Sequence, residues 1–253
     1  MKELGTRDLL VVVAMEEEER AVLEVLSGFP VETGEAGRRT RVPYRKFAVG
    51  ERTVTLARSG IGPVNAGIAV TLLAESLAFD AILLFGVGGA VSTKLAIGDV
   101  VVSDGVFQHD SFSSLDFGNA HMPSGKYVLA ADDVGRHPPL RMSGAELLEW
   151  FATVHREDRP YHRGVILSGN EFVGTVKRKR EIALLHPEAL LVDMEAAGVA
   201  HAAERLGLPF LVVKTVSDRL SPDGSIESDF RKCLDAAAAN AATCLRALLS
   251  IEG

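Results

Sequence analysis

The runs "AILLF" (Ala81–Phe85) and "FLVV" (Phe210–Val213) are apolar at every position. Successive side chains of a strand point to opposite faces, so a strand with one wet face alternates apolar and polar residues. Strands that do not alternate are covered on both faces, usually by helices flanking a largely parallel sheet. The chain is therefore read as α/β.

The remaining pattern alternates accordingly. Strands are expected at Leu9–Ala14, Lys46–Val49, Thr53–Arg58, Ala81–Phe85, Val100–Phe107, Gly164–Ser168, Leu190–Val192 and Phe210–Val216. Helices are expected at Glu16–Leu26, Pro63–Leu77, Gly144–Val154, Val176–Leu185, Glu195–Leu206 and Ile226–Leu249. Ser111–Pro139 holds three of the ten prolines and few periodic apolar residues, and is read as a long loop around a site. No repeat or linker divides the chain, so one domain is expected over residues 1–253.

Composition removes several classes of partner. The net charge is -7, and no long stretch concentrates Lys and Arg, which argues against nucleic acid and anionic membranes. The short run Lys177–Arg180 is read as covering a helix surface. No apolar run has the length of a membrane span, and residues 9–15 are too short for a secretion signal. Cys233 and Cys244 lack ligand spacing, and the seven histidines form no metal motif. A cytoplasmic, metal-free protein is the expectation. His109-Asp110 is read as a loop hydrogen-bonding pair.

Within "AMEEEERAVLEVL" the glutamates are not equivalent. At roughly 100° per residue, with Glu18 at zero, Val22, Val25, Leu26 and Ala21 all fall within about 80° of it. Glu16, Glu17, Glu19 and Glu24 fall on the opposite face with Arg20. Acid in a first helical turn suits the macrodipole without any function. A carboxylate aimed at a core is costly unless it is paired or employed. The same test places Glu195 on the stripe of Val199, Ala202, Ala203 and Leu206, while His201, Glu204 and Arg205 face away.

Three further features gather near strand ends. "GVGGA" follows a strand but matches neither phosphate-loop spacing, so its glycines serve either a tight turn or a ligand close to the backbone. Phe172, in the glycine-flanked turn "SGNEFVGT", is set either to pack in the core or to stack on a flat base. Ser217-Asp218 ends the strand "PFLVV…", at the carboxyl edge where α/β sheets gather ligands; capping of the next turn is the alternative.

Taken in order, "AMEEE", "SGIGPVNA", "GVGGAV…IGDVVVSD", "SGNEFV" and "DMEAAGVAHAAERLGLPFLVVKTVSD" resemble the nucleoside phosphorylase superfamily, and within it the 5′-methylthioadenosine/S-adenosylhomocysteine nucleosidases. The resemblance runs from about residue 9 to the C-terminus. It implies a single α/β domain whose central mixed, partly barrel-like sheet is wrapped by helices. It implies a homodimer acting on a small nucleoside without metal or cofactor. Residue by residue, it implies that Glu18 activates water and Asp218 protonates adenine N7. Burial against the base would keep Asp218 protonated for that task. Met194 and Glu195 would hold the ribose, Phe172 would stack on adenine, and the Val173 backbone would read its edge. Gly88 and Ser217 would approach the ligand, Met15 joins the substrate-binding set, and the segment from His109 to Phe117 would line the 5′ pocket. The family pattern carries arginine at Lys214, serine at Gly86 and aspartate at Asn170.

Two other readings remain. A phosphorylase of the same fold needs a cationic anion site, which "GVGGA" lacks but Arg58-Ser59 leaves open. A non-catalytic nucleoside-binding protein would need neither Glu18 nor Asp218.

Overall fold

The computed structural model describes residues 8–116, 118–121, 145–154, 161–221, 225–227 and 230–249. The elements run β1 (Asp8–Val13), α1 (Glu16–Leu26), β2 (Val31–Ala36), β3 (Val42–Val49), β4 (Arg52–Arg58), α2 (Pro63–Ser76), β5 (Ala81–Ala90), β6 (Val100–Gln108), β7 (Phe112–Leu115) and β8 (Gly118–His121). They continue with α3 (Ala145–Val154), β9 (Tyr161–Ser168), α4 (Val176–Leu185), β10 (Ala189–Asp193), α5 (Ala196–Leu206), β11 (Phe210–Leu220), β12 (Ile226–Glu227) and α6 (Phe230–Leu248).

Ten strands join in the order β12-β11-β6-β9-β10-β5-β1-β4-β3-β2, and an additional β11–β5 pairing closes β5, β11, β6, β9 and β10 into a five-strand barrel. The barrel is mixed: β5–β11, β6–β9 and β9–β10 are parallel, while β11–β6 and β10–β5 are antiparallel. Both faces of β1 and β5 are buried, as their unbroken apolar sequences require. One core lies between the sheet and α2 with α5, the other between the sheet and α1, α3 and α6. The helices α2 and α5 approach closely because Gly198 carries no side chain; a Cβ there would lie 1.9 Å from the Pro63 carbonyl oxygen.

The strand β5 positions the site. Its first half pairs with β1, from Leu9–Ala81 to Val12–Leu84, and its end pairs with β10 at Gly89 and Ala90. Between these partners the sheet splits, and ligands of open α/β sheets collect at such divergences.

Several expectations are corrected. The glycines of "GVGGA" lie inside β5, not in a turn, and Gly86, Gly88 and Gly89 are absent from the positive-φ set. They are needed because side chains crowd the strand: Glu18 at Gly86, Leu191 at Gly88, and Lys179 with Asp218 at Gly89. The strand β11 does not stop at Val216 but continues to Leu220 through a register shift between Val216 and Asp218. Residues 226–227 form β12 against β11, tied by the Arg219–Glu227 ion pair at 2.8 Å, so the last helix starts at Phe230. Part of the expected loop 111–139 is a hairpin of β7 and β8; residues 122–139 and Phe117 lie outside the described residues. The strand β2 was hidden in the sequence because "VETGEA" is a polar edge strand with one buried residue.

Candidate active site

At the split lies a cavity of about 440 Å³. Nine residues expected from sequence line it: Met15, Glu18, Gly88, Phe172, Val173, Met194, Glu195, Ser217 and Asp218; of the segment expected to line the 5′ pocket, residues 109–116 are not among the lining residues and Phe117 lies outside the described residues. Ile61, Val87, Gly89, Glu171, Val192 and Asp193 line it too; Ile61, Val87, Gly89, Glu171 and Asp193 lie within quoted motifs but were assigned no role of their own there.

Glu18 enters from the first turn of α1 and is 3% exposed. Oε2 accepts the backbone N–H of Ala14 at 2.8 Å and of Met15 at 3.0 Å; Oε1 accepts the N–H of Val87 at 3.0 Å. The bond to Met15 is half of a capping box. The bond to Val87 serves a strand N–H left by the divergence of β1 from β5. A carboxylate has about four acceptor sites, so one remains, on Oε1. Gly86 makes room for this, since a Cβ there would stand 2.4 Å from Oε1.

Glu195 caps α5 and is 5% exposed. Oε1 accepts from the Gly62 N–H at 3.1 Å and Oε2 from Lys214 Nζ at 3.2 Å. Lys214 is fully buried in β11, and its ammonium also pairs with Asp193 at 2.9 Å. Burial alone would lower Lys214, but Asp193, Glu195 and Glu18 together outweigh it and hold Lys214 above its ordinary value. Burial pushes Glu195 up, helped by Asp193 and Glu18 and opposed by Lys214 and the Gly62 N–H. These directions agree: one cation serves several carboxylates and holds Asp193 more closely than Glu195. Asp193 is anchored besides by the Ala196 N–H at 3.1 Å.

Asp218 stands on β11 just past the register shift, 8% exposed. Ser217 Oγ lies 3.1 Å from its Oδ1 and 3.2 Å from the Gly88 carbonyl oxygen, so its single hydrogen serves one of them at a time. The expectation of a carboxyl protonated by burial meets a different arrangement. Lys179 Nζ lies 2.5 Å from Asp218 Oδ2. Lys179, read from sequence as surface charge, is fully buried on α4. The signal was present: Lys179 stands three residues before buried Ile182, on the helix's inward face.

Phe172 is 66% exposed and lines the cavity, whereas Val173 is buried. Beside it Glu171 is held by Arg178 through two bonds of 2.8 Å. In the His109-Asp110 pair only Asp110 makes the expected loop bonds, accepting from Gln108 Nε2 at 3.0 Å and the Asn170 N–H at 2.6 Å. The His109 ring is buried and has no hydrogen-bond partner among the described residues. Arg58 is engaged by Glu19 at 3.2 Å and Glu16 at 3.5 Å, and is not among the residues lining the cavity.

A closed mixed barrel, opened at a strand split onto a carboxylate-lined cavity, is the architecture of the nucleoside phosphorylases and hydrolases. The chain belongs to the phosphorylase superfamily, whose family model matches residues 8–250. Within that class its similarity is to nucleosidases. The 5′-methylthioadenosine/S-adenosylhomocysteine nucleosidase of Staphylococcus aureus is 32% identical over 213 residues, covering 83% of this chain and 88% of the relative. The nucleosidase of the same name from Neisseria meningitidis, solved with methylthio-immucillin-A, superposes with a TM-score of 0.78 at 30% identity, over 96% of this chain and 98% of that one. A futalosine hydrolase mutant from Helicobacter pylori shares the fold, with a TM-score of 0.77 at 23% identity over 96% and 99% of the two chains.

Proposed function

We propose that the enzyme hydrolyses the N-glycosidic bond of 5′-substituted adenosines, such as 5′-methylthioadenosine and S-adenosylhomocysteine, giving adenine and the free 5-substituted ribose. The observation that carries this reading is the carboxylate of Glu18, fixed by three backbone N–H groups with one acceptor site left. It suits a water molecule, whose proton it takes as the oxygen attacks C1′. It would repel phosphate. Among the described residues the nearby cations are already engaged: Lys214 by Asp193 and Glu195, Lys179 by Asp218, Arg58 by Glu16 and Glu19. This favours hydrolysis over phosphorolysis.

The other roles follow from position. Each Glu195 oxygen has one protein partner and a second acceptor site for a ribose hydroxyl, with Met194 beside it. Glu195 and Glu18 supply the negative field that favours positive charge growing on the sugar. Phe172 and Asp218 both line the cavity, and on this reading Phe172 stacks on adenine and Asp218 serves N7. Exposed Ile61, Val64 and Ile68, beside the cavity and along α2, favour a homodimer that covers them.

Incubating the protein with 5′-substituted adenosines in phosphate-free buffer is expected to release adenine and free 5-substituted ribose. Strict phosphate dependence, or a ribose 1-phosphate product, would make the enzyme a phosphorylase.

A further inference from the structure

We propose that Lys179 supplies the proton that Asp218 delivers to the purine, so that the acid of this enzyme is a lysine–aspartate pair. The inference deepens the proposed hydrolysis and rests on it.

Three observations place the pair. The Lys179 side chain is fully buried, and its ammonium reaches Asp218 Oδ2 at 2.5 Å and the Ala90 carbonyl oxygen at 3.1 Å. Asp218 lines the cavity, so the carboxyl stands between the lysine and the ligand space. The chain also keeps the contact open from the third side. A Cβ at Gly89 would lie 2.6 Å from Lys179 Nζ and 2.9 and 3.0 Å from the two Asp218 oxygens. Packing alone is a poor reason for such a pair, because apolar side chains of similar volume often serve stability as well or better.

The chemistry needs what the pair holds. As the C1′–N9 bond breaks, its electron pair passes to the purine, which leaves poorly as an anion. A carboxylate by itself has no proton to give. As ammonium and carboxylate, the two groups keep a transferable proton on nitrogen, one hydrogen bond from the carboxyl. In the step, N7 takes a proton from the Asp218 carboxyl and the carboxyl takes one from Lys179, leaving a neutral amine. Water adds its oxygen to C1′ and gives its proton to Glu18. Solvent then carries one proton from Glu18 back to Lys179. The sum is water added across the glycosidic bond, with no other reactant consumed.

The test uses Lys179→Met and Lys179→Arg with two substrates, 5′-methylthioadenosine and a nitrophenyl riboside bearing the same 5′-group, whose leaving group needs no proton. In Lys179→Met, turnover of the adenosine should fall on the order of 100-fold at neutral pH, within the usual range for lost acid catalysis. Turnover of the nitrophenyl riboside should change only a few-fold. Lys179→Arg keeps the charge, but a guanidinium does not give up its proton in a protein, so the same selective loss is expected. Should the Met variant not fold, the Arg variant decides. Equal losses on both substrates would make Lys179 structural, and normal adenosine turnover in the Arg variant would show that no proton passes through it. Absence of adenine release by the unaltered enzyme would instead overturn the hydrolysis reading itself.

Discussion

At the scale of single residues, Glu18 has two tasks that compete in any substitution. The angular argument finds the residue but treats its burial only as a cost. Read that way, Glu18→Gln should relieve a buried charge and leave the melting temperature unchanged or higher. The three backbone N–H groups on the carboxylate reverse this expectation. An amide has one acceptor oxygen, with two acceptor sites, and its NH2 group must then face a buried N–H. Leaving such a donor unmet costs about 1–3 kcal/mol. Glu18→Gln is therefore expected to lower the melting temperature and to cut hydrolysis by roughly 10²–10⁴-fold, while inhibitor binding stays within a few-fold. Calorimetry and steady-state kinetics on one preparation check both. Near-normal turnover with a lowered melting temperature would leave Glu18 as a cap and nothing more.

At the scale of elements, what could be read in the sequence is what packing dictates locally. The helix Glu16–Leu26 has the expected bounds because a one-sided apolar stripe fixes both the helix and its inward face; the helix Val176–Leu185 also has the expected bounds, although it buries only Lys179 and Ile182 and leaves Leu184 and Leu185 exposed. The buried strands were legible for the complementary reason, with no polar residue to expose. Barrel closure was not. It depends on β5 pairing with β11 along most of its length and with β10 at its last residues, pairings between segments about a hundred residues or more apart that no local pattern encodes. The glycines of β5 misled for a related reason. Glycine after an apolar run ordinarily marks a turn, but here each omitted Cβ admits a side chain from another element, Glu18 from α1 or Lys179 from α4. The site residues could be found by helical angle and by ordered motifs, and Lys179 by its three-residue spacing to Ile182; the carboxylate that each lysine is buried against could not, because that partner comes from across the fold. Lys214 shows the consequence. At a place where the family pattern has arginine, its compact ammonium lies within 3.2 Å of both Asp193 and Glu195.

At the scale of the whole molecule, two properties follow from what the fold leaves at its surface and what it seals inside. Ile61, Val64 and Ile68 are each at least 46% exposed. Contiguous apolar surface of this kind marks an interaction site more often than chance exposure. Sedimentation is expected to give twice the 27.0 kDa chain mass, and substituting Val64 and Ile68 by glutamate should shift the mass toward one chain; a single-chain mass for the unaltered protein would remove the homodimer. Sealed inside are His109 and His186, which resist protonation, as does half-buried His201. Burial holds His109, His186 and His201 below their ordinary value, and the facing carboxylates — Asp110, Glu171 and Asp193 for the first, Glu188 for the second, Glu204 for the third — do not outweigh it. A depressed histidine binds its proton less readily when folded than when unfolded. Between the folded value and the unfolded value of about 6.5, the unfolded chain holds more protons, so stability rises with pH there and is lost as pH falls. Glu195 has the opposite sign: its raised folded value favours the folded state at low pH and is lost as pH rises through that value. Three protons against one leave the histidines in control below neutrality. The melting temperature is therefore expected to fall steadily from pH 7 to pH 5. Substituting His109 by phenylalanine, which needs no partner for ring nitrogens that have none among the described residues, should flatten that fall. A melting temperature that holds or rises over this interval would mean that the buried rings do not govern the acid limb.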